Sequence, residues 1–92
     1  MVRIVYRLHA IERMFERQIS SEEVREILSL GEVVEKYPDD TPYPSSLVSG
    51  VVGGRPLHVV AAYNEIADEM IVITVYRPDP QQWDNEFRRR KP

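Results

Sequence analysis

Cysteine is absent from this 92-residue sequence, which excludes disulfides, thiolate catalysis and cysteine-ligated zinc or iron–sulfur centres. Histidine is scarce: only His9 and His58 occur, and neither lies in a His-x-x-x-His or Asp-x-His spacing that would supply further metal ligands. No apolar run approaches the ~20 residues that a membrane-spanning helix requires, and residues 1–9 lack a signal-peptide core. We therefore expect a cytoplasmic protein that uses no cofactor, metal or membrane.

The composition, with 42% hydrophobic and 29% charged residues, is typical of a globular protein. The length predicts one domain, residues 1–92, that buries roughly 60–65% of its unfolded surface. The net charge of −3 argues against tight non-specific nucleic-acid binding. Basic residues prevail in 1–21 and 77–92, whereas acidic residues prevail in Glu22–Asp40 and Glu65–Glu69. The two ends would present one cationic face if they met in the folded chain.

Two apolar runs in the second half of the chain predict the central strands of a sheet. The segments 55–63 and 70–77 are rich in β-branched and aromatic residues. Side chains alternate between the faces of a strand, so a run that is apolar on both faces indicates a strand covered on both sides. Segments 32–37 and 45–52 predict two further strands. The two glycines between 45–52 and 55–63 predict a tight hairpin turn, since glycine tolerates positive φ.

Helical spacing of apolar residues predicts a first helix over 8–17. Leu8, Ile11 and Phe15 recur at that spacing with Met14 beside them, and we expect this stripe to be buried.

A capping box predicts a second helix over 21–30. The Ser20 hydroxyl can accept from the Glu23 amide while the Glu23 side chain reaches back to the Ser20 amide. Gly31 follows as the expected left-handed cap.

The end of the chain predicts a short third helix over 80–90. Asp79 is suited to the N-cap position and Pro80 to the first helical position. Trp83 and Phe87 would pack this helix back onto the sheet, leaving a cationic tail.

The fold class predicted from these elements is α+β. Two N-terminal helices are followed by a four-stranded, mainly antiparallel sheet and a short C-terminal helix. The alternating run Val2–Tyr6 is open to two interpretations, a short strand or an entry segment.

Six polar residues form the predicted catalytic set: four interrupt the two apolar strands, and two lie one turn apart on the first helix. If the first helix covers the sheet, the two histidines and the neighbouring cations converge on one cleft. RNA cleavage through the 2′-hydroxyl needs a base, an acid and a guanidinium that neutralises charge on phosphorus, and it needs no metal. The candidate residues are His9, Arg13, His58, Thr74, Tyr76 and Arg77.

Structural roles are an alternative for four of these residues. His9 lies near a helix start, where surface or capping positions are common. His58 could bond to a neighbouring carbonyl or to Tyr76. Arg13 could bridge Glu12 or Glu16, and the arginine before Pro78 could hold the strand exit.

Four stretches carry a resemblance to a known family. They begin at His9, Gly31, Arg55 and Ile73, and they read His-Ala-x-x-Arg-Met-x-x-Arg-x-Ile-Ser, Gly-Glu-Val-Val-Glu-x-Tyr-Pro, Arg-Pro-Leu-His-Val-Val and Ile-Thr-Val-Tyr-Arg-Pro-Asp-Pro-x-x-Trp. Over about residues 8–88 the chain resembles the small bacterial and archaeal proteins grouped as domain of unknown function 4258.

That resemblance implies a function. Members of the group are similar to the compact toxins of type II toxin–antitoxin pairs with a RelE-like fold, and some look like MqsR-type partners of a zinc-finger antitoxin of the MqsA sort. It implies an RNA-cleaving toxin that a cognate antitoxin silences, and it leaves open whether the RNA is free or ribosome-bound mRNA. The acidity of this chain departs from the strongly basic character of RelE-like ribonucleases.

A different class of function remains open at this point. The chain could be a non-catalytic module that binds a protein partner through the acidic stretch Glu22–Asp40. Alanine substitutions in that stretch would then weaken binding, whereas substitutions at the histidines would not. The oligomeric state is left open by the sequence.

Overall fold

Two helices and five strands make up the computed structural model, which describes residues 2–92. Within those residues no helix is long and apolar enough to cross a bilayer. In chain order the elements are β1 Arg3–Tyr6, α1 Leu8–Arg17, α2 Ser21–Leu30, β2 Glu32–Tyr37, β3 Ser45–Val52, β4 Arg55–Asn64 and β5 Glu69–Tyr76.

The five strands form one mixed sheet in the order β1-β5-β4-β3-β2. β2, β3, β4 and β5 pair as antiparallel neighbours, whereas β1 pairs with β5 in parallel. Gly53 and Gly54 join β3 to β4 with φ values of 57° and 80°. Both values lie in the left-handed region, which a two-residue hairpin turn of this kind requires and which glycine adopts without a steric penalty.

The predicted four-stranded, mainly antiparallel sheet is wrong, because Arg3–Tyr6 adds a fifth strand and makes the sheet mixed. The partner of this strand is Glu69–Val72, more than 60 residues away in sequence. A four-residue run carries too short an alternation to distinguish a strand from an entry segment. Its strand character depends on a long-range pairing that local pattern does not reveal.

The predicted C-terminal helix over 80–90 is also wrong, since this segment forms turns and an isolated bridge between Trp83 and Arg90. The Asp84 carboxylate accepts hydrogen bonds from the backbone amides of Glu86 and Arg88, both at 3.1 Å. Aspartate side chains that bind nearby amides offer the backbone an alternative to helical hydrogen bonds. The helix-start signal therefore yields a single turn that does not propagate.

Both helices cover the same face of the sheet, with α1 against β5 and α2 against β3 and β4. Small and branched side chains fill the space between the layers, as close packing demands. The buried cluster consists of Ala10, Ile19, Val24, Ile27, Val48, Leu57, Val59, Ala61, Val72 and Val75.

The expected burial of the Leu8, Ile11 and Phe15 stripe is wrong. These side chains are 72%, 50% and 87% exposed, whereas Ala10 is fully buried and Met14 packs against the core. Helical periodicity identifies residues that share a face, but it does not decide which face docks. The small side chain at Ala10 allows α1 to approach the sheet closely, so the bulkier stripe is turned outward.

Gly31 does not adopt the predicted left-handed conformation; its φ is −76° and its ψ is 177°. Instead, the lack of room for a side chain at this position explains why the residue is glycine. A Cβ atom there would lie 2.5 Å from the Ile27 carbonyl oxygen and 2.8 Å from that of Ser49. Gly31 therefore permits the end of α2 to pass closely over β3.

Candidate functional site

A free sheet edge lies beside the second half of β5. β1 pairs only with Glu69–Val72, so in the described chain 73–76 has no strand neighbour on that side. The Arg7 amide donates to the Val72 carbonyl at 3.0 Å, where the chain leaves β1 and enters α1. A pocket of about 320 Å³ opens at this edge, between β5, the end of α1 and the segment after β5.

Arginine dominates the lining of this pocket, and we call it the arginine pocket. It brings together residues from 13–17, 74–79 and 82–90, so the two basic ends of the chain do meet here. Its lining residues are Arg13, Arg17, Thr74, Tyr76, Arg77, Asp79, Gln82, Trp83 and Arg90.

Four guanidinium groups face one carboxylate, that of Asp79, so the pocket is cationic although the whole chain is acidic. Arg13 is 3.0 Å from Glu16. Across residues 2–92, Arg17 and Arg77 form no salt bridge. Their charges are therefore available to an anion, and an anion held by several guanidiniums gains charge-assisted hydrogen bonds.

His58 contacts two residues of the pocket lining, Tyr76 and Trp83, but does not itself line the pocket. It follows Leu57 and precedes Val59, which both belong to the core beneath the helices, so its side chain points to the opposite face of the sheet. It is fully buried. Its Nε2 lies 2.8 Å from the Phe87 carbonyl oxygen and its Nδ1 lies 3.3 Å from the Tyr76 hydroxyl.

The segment after β5 closes over His58. Trp83 is only 2% exposed and meets the imidazole edge to face, with ring centroids 4.5 Å apart. The Arg90 guanidinium lies 4.6 Å from the Trp83 ring centroid and binds both carboxylate oxygens of Glu35, at 2.8 and 3.2 Å. A cation over an indole face and a bidentate ion pair both hold the segment in place.

Burial controls the ionisation of these groups. It lowers the pKa of His58, although the hydrogen bond to the Phe87 carbonyl opposes that shift. Burial also raises the pKa of Tyr76, against the effect of the nearby Arg90 charge. His58 is consequently a neutral imidazole near pH 7, and Tyr76 is a neutral phenol.

Four of the six predicted site residues share the pocket: Arg13, Thr74, Tyr76 and Arg77. The predicted convergence of two imidazoles on one open cleft is not found. His9 is exposed on α1 and does not line the pocket, while His58 is walled off from solvent. The hydrogen bonds of His58 are those that the structural alternative named.

The other lining residues were not predicted as site residues. Asp79, Gln82 and Trp83 were assigned to the start of a helix. Arg17 stands one turn beyond Arg13 on α1, a spacing that signals a shared face. No local signal indicates Arg90, because its position depends on how the last segment folds back.

The acidic stretch is less free than the sequence suggests. Glu23 pairs with Arg55, and Glu32 and Glu35 pair with Arg88 and Arg90 of the last segment. Among residues 2–92, no group of three or more His, Cys, Asp or Glu side chains is arranged to hold a metal ion.

The fold and the site together define a small α+β protein with a cationic pocket at a free sheet edge. Residues 6–77 match the family model described as Domain of unknown function (DUF4258). The match covers more than half of the chain, and the chain belongs to that family. The search of curated proteins and the search of solved structures found no match.

Proposed function

We propose that the protein is a toxin-type endoribonuclease that cleaves RNA through its 2′-hydroxyl, without a metal ion, at the arginine pocket. The observation that supports this most is the convergence of four guanidinium groups on one pocket of about 320 Å³. A phosphodiester is the anion that suits such a pocket, because guanidinium matches phosphate geometry and its charge persists at every physiological pH.

The guanidiniums have two roles in this proposal. Arg17 and Arg77 bind the phosphate. Arg13 and Arg90 each already pair with a glutamate, so they add less charge. During attack by the 2′-oxygen, negative charge grows on the non-bridging oxygens of phosphorus, and fixed cations stabilise that state more than the ground state. The bond to the 5′-oxygen then breaks. The products are a 2′,3′-cyclic phosphate and a 5′-hydroxyl.

Tyr76 is the proton-transfer group of the proposal. Its hydroxyl oxygen takes the proton of the 2′-hydroxyl as its own proton passes to a neighbouring acceptor, and the leaving 5′-oxygen takes a proton from water in the open pocket. Thr74, on the same strand, supplies a hydroxyl that can hydrogen-bond the phosphate. The histidines are not assigned as a pair of acid and base, since His9 lies away from the pocket.

Purified protein incubated with single-stranded RNA in excess EDTA tests this proposal. We expect cleavage that leaves cyclic phosphate ends, and we expect the cleavage rate of Tyr76→Phe to be lower by about 100-fold or more. Arg17→Ala should also slow cleavage, because it removes a phosphate-binding cation. Its matched control is Arg25→Ala, since Arg25 lies on α2 beside a different pocket. Intact RNA after prolonged incubation, both free and on ribosomes, contradicts the proposal, as does equal cleavage by wild type and Tyr76→Phe.

The toxin role is tested in a bacterial host. Induced expression of the wild type should arrest growth, and Tyr76→Phe at equal protein level should not. A cognate antitoxin protein would restore growth when expressed together with the wild type. Normal growth with the wild type present in soluble form argues against the toxin role.

The apolar stripe on α1 favours a second candidate, a non-catalytic module that binds a protein partner. Leu8, Ile11 and Phe15 lie on one outward face and are half or more exposed, and exposed apolar patches mark interaction surfaces. This candidate predicts that Phe15→Ser abolishes a pull-down while Tyr76→Phe leaves it unchanged. The acidic stretch is the weaker contact surface, because three of its glutamates already form ion pairs within the chain.

A further inference from the structure

Tyr76 poses a chemical problem that its surroundings resolve. A neutral phenol accepts a proton from a 2′-hydroxyl only if its own proton leaves at the same time. Burial raises the pKa of Tyr76, so a standing phenolate is disfavoured. A proton acceptor must therefore lie behind the hydroxyl, on the side away from the pocket.

The tautomer of His58 is determined by the Phe87 carbonyl. A carbonyl oxygen only accepts hydrogen bonds, so the 2.8 Å contact places the imidazole proton on Nε2. In the neutral ring Nδ1 then carries a lone pair. The Tyr76 hydroxyl lies 3.3 Å from this atom, so it is the donor of that hydrogen bond.

Two aromatic contacts and the hydrogen bond to the Phe87 carbonyl prevent the imidazole from turning. Trp83 packs edge to face against it at 4.5 Å, and Tyr76 does so at 5.3 Å. The Phe87 carbonyl also accepts from the Ser49 hydroxyl at 3.1 Å, which fixes the carbonyl itself. The ring is fully buried, so water does not compete for Nδ1.

We propose that His58 is a positioning residue and proton acceptor for Tyr76: it directs the hydroxyl proton inward, so that the phenol oxygen presents its lone pairs to the arginine pocket. This rests on the proposed function, in which Tyr76 receives the 2′ proton. The arrangement follows the order of a nucleophile, a base and a group that orients the base, although here the outer member is a backbone carbonyl.

Two protons move together between the substrate, Tyr76 and His58. The 2′-hydroxyl proton moves to the Tyr76 oxygen while the Tyr76 proton moves to Nδ1 of His58. The 2′-oxygen forms its bond to phosphorus and the bond to the 5′-oxygen breaks, with the leaving oxygen protonated by water. The imidazolium then returns its proton to bulk solvent through Tyr76.

The groups around His58 act on a positive charge of the ring in opposite directions. The charge of Arg90 in the last segment opposes the imidazolium and the charge of Glu35 on β2 favours it to a smaller extent, while Tyr76 of β5 is neutral. The Phe87 carbonyl accepts from Nε2 in both ionisation states. His58 is thus neutral at rest and still able to take a proton.

Nitrogen-15 NMR of the wild type tests the positioning without any RNA. We expect one protonated nitrogen, Nε2, and one bare nitrogen, Nδ1, near pH 7. A ring protonated at Nδ1 overturns the proposal whatever the protein does to RNA. If the expected tautomer is seen and RNA stays intact, the proposed function fails and the positioning of Tyr76 stands.

Kinetics of RNA cleavage test the coupling between the two side chains. His58→Gln keeps a polar side chain of similar size but cannot take a proton from Tyr76, so kcat should fall about 100-fold with KM within twofold. The acid limb of the pH–rate profile should vanish in this variant. His58→Gln combined with Tyr76→Phe should be no slower than Tyr76→Phe alone.

The same measurements separate a catalytic from a merely structural role. If the two substitutions multiply their effects, or if His58→Gln keeps the acid limb, the proposal is overturned. Where His58→Gln fails to fold, Tyr76→Phe still permits the comparison. Its His58 should keep the proton on Nε2, since the Phe87 carbonyl remains, and loss of that tautomer contradicts the assignment.

Discussion

Replacing Trp83 by alanine tests whether the last segment is fastened to the sheet as described. The ring is 2% exposed and contacts His58 and Arg90. Truncation of a fully buried tryptophan costs about 3–5 kcal/mol, through lost transfer free energy and the cavity left behind. A domain of this size has a free energy of unfolding on the order of 5–14 kcal/mol, so the loss is a large share of the total.

Urea unfolding followed by far-ultraviolet circular dichroism measures this loss, because the substitution removes the only tryptophan of the chain. Ile66→Ala is the control, since Ile66 is fully exposed and its truncation should change stability by less than about 0.5 kcal/mol. A loss below about 1 kcal/mol for Trp83→Ala would refute the reasoning. It would mean that the ring is not buried against the sheet in solution.

Three further predictions follow from other parts of the structure. Burial holds the pKa of His58 in the folded chain below its usual 6.5, so the unfolded chain binds a proton there first as the pH falls. The free energy of unfolding should therefore decline as pH falls from 6.5 through the folded pKa. In urea titrations at several pH values, His58→Gln should lack that part of the decline. Gly31→Ala should lower the free energy of unfolding by about 1–3 kcal/mol in the same assay, since its Cβ would meet two fixed backbone oxygens. An unchanged urea midpoint would contradict that expectation. Ser20→Ala should lower the free energy of unfolding by about 1 kcal/mol, because the Ser20 hydroxyl accepts a hydrogen bond from the Glu23 amide at 3.1 Å. No loss of stability at all would show that the capping box is not formed in solution.

Local signals in the sequence account for much of the helical part of the fold. The capping box of Ser20 and Glu23 is present with both of its hydrogen bonds, and α2 begins directly after it. Such signals act through neighbouring amides, so they depend little on the rest of the chain. The same holds for Gly53 and Gly54, whose positive φ values suit the hairpin between β3 and β4.

Features that depend on distant contacts could not be read from the sequence in the same way. β1 is a strand because Glu69–Val72 pairs with it. Phe15 points outward because α1 packs onto the sheet through the helix face that carries Ala10. The segment at 80–90 carried a helix-start pattern, but local aspartate side chains and the burial of Trp83 outweighed it.

The candidate site likewise combines residues that a local pattern indicates with residues that only distant contacts bring in. Thr74, Tyr76 and Arg77 were selected as polar interruptions of an apolar strand and Arg13 as a neighbour of His9 on the first helix, and these four do meet in one pocket. Arg90 joins them through the last segment, which no periodicity marks. His58 interrupts a strand as the others do, yet it is buried, because pattern alone does not reveal what covers a strand face.

Binding of a phosphodiester at the arginine pocket is the most direct test of the account. The probe is a dinucleotide with a 2′-O-methyl group, which blocks cleavage, titrated into protein whose arginine Nε–Hε signals are followed by NMR. The largest shifts should fall on Arg17 and Arg77, with smaller ones on Arg13 and Arg90, and none on Arg25. Unchanged pocket signals at millimolar probe, or shifts on Arg25 as large as those on Arg77, would contradict the account.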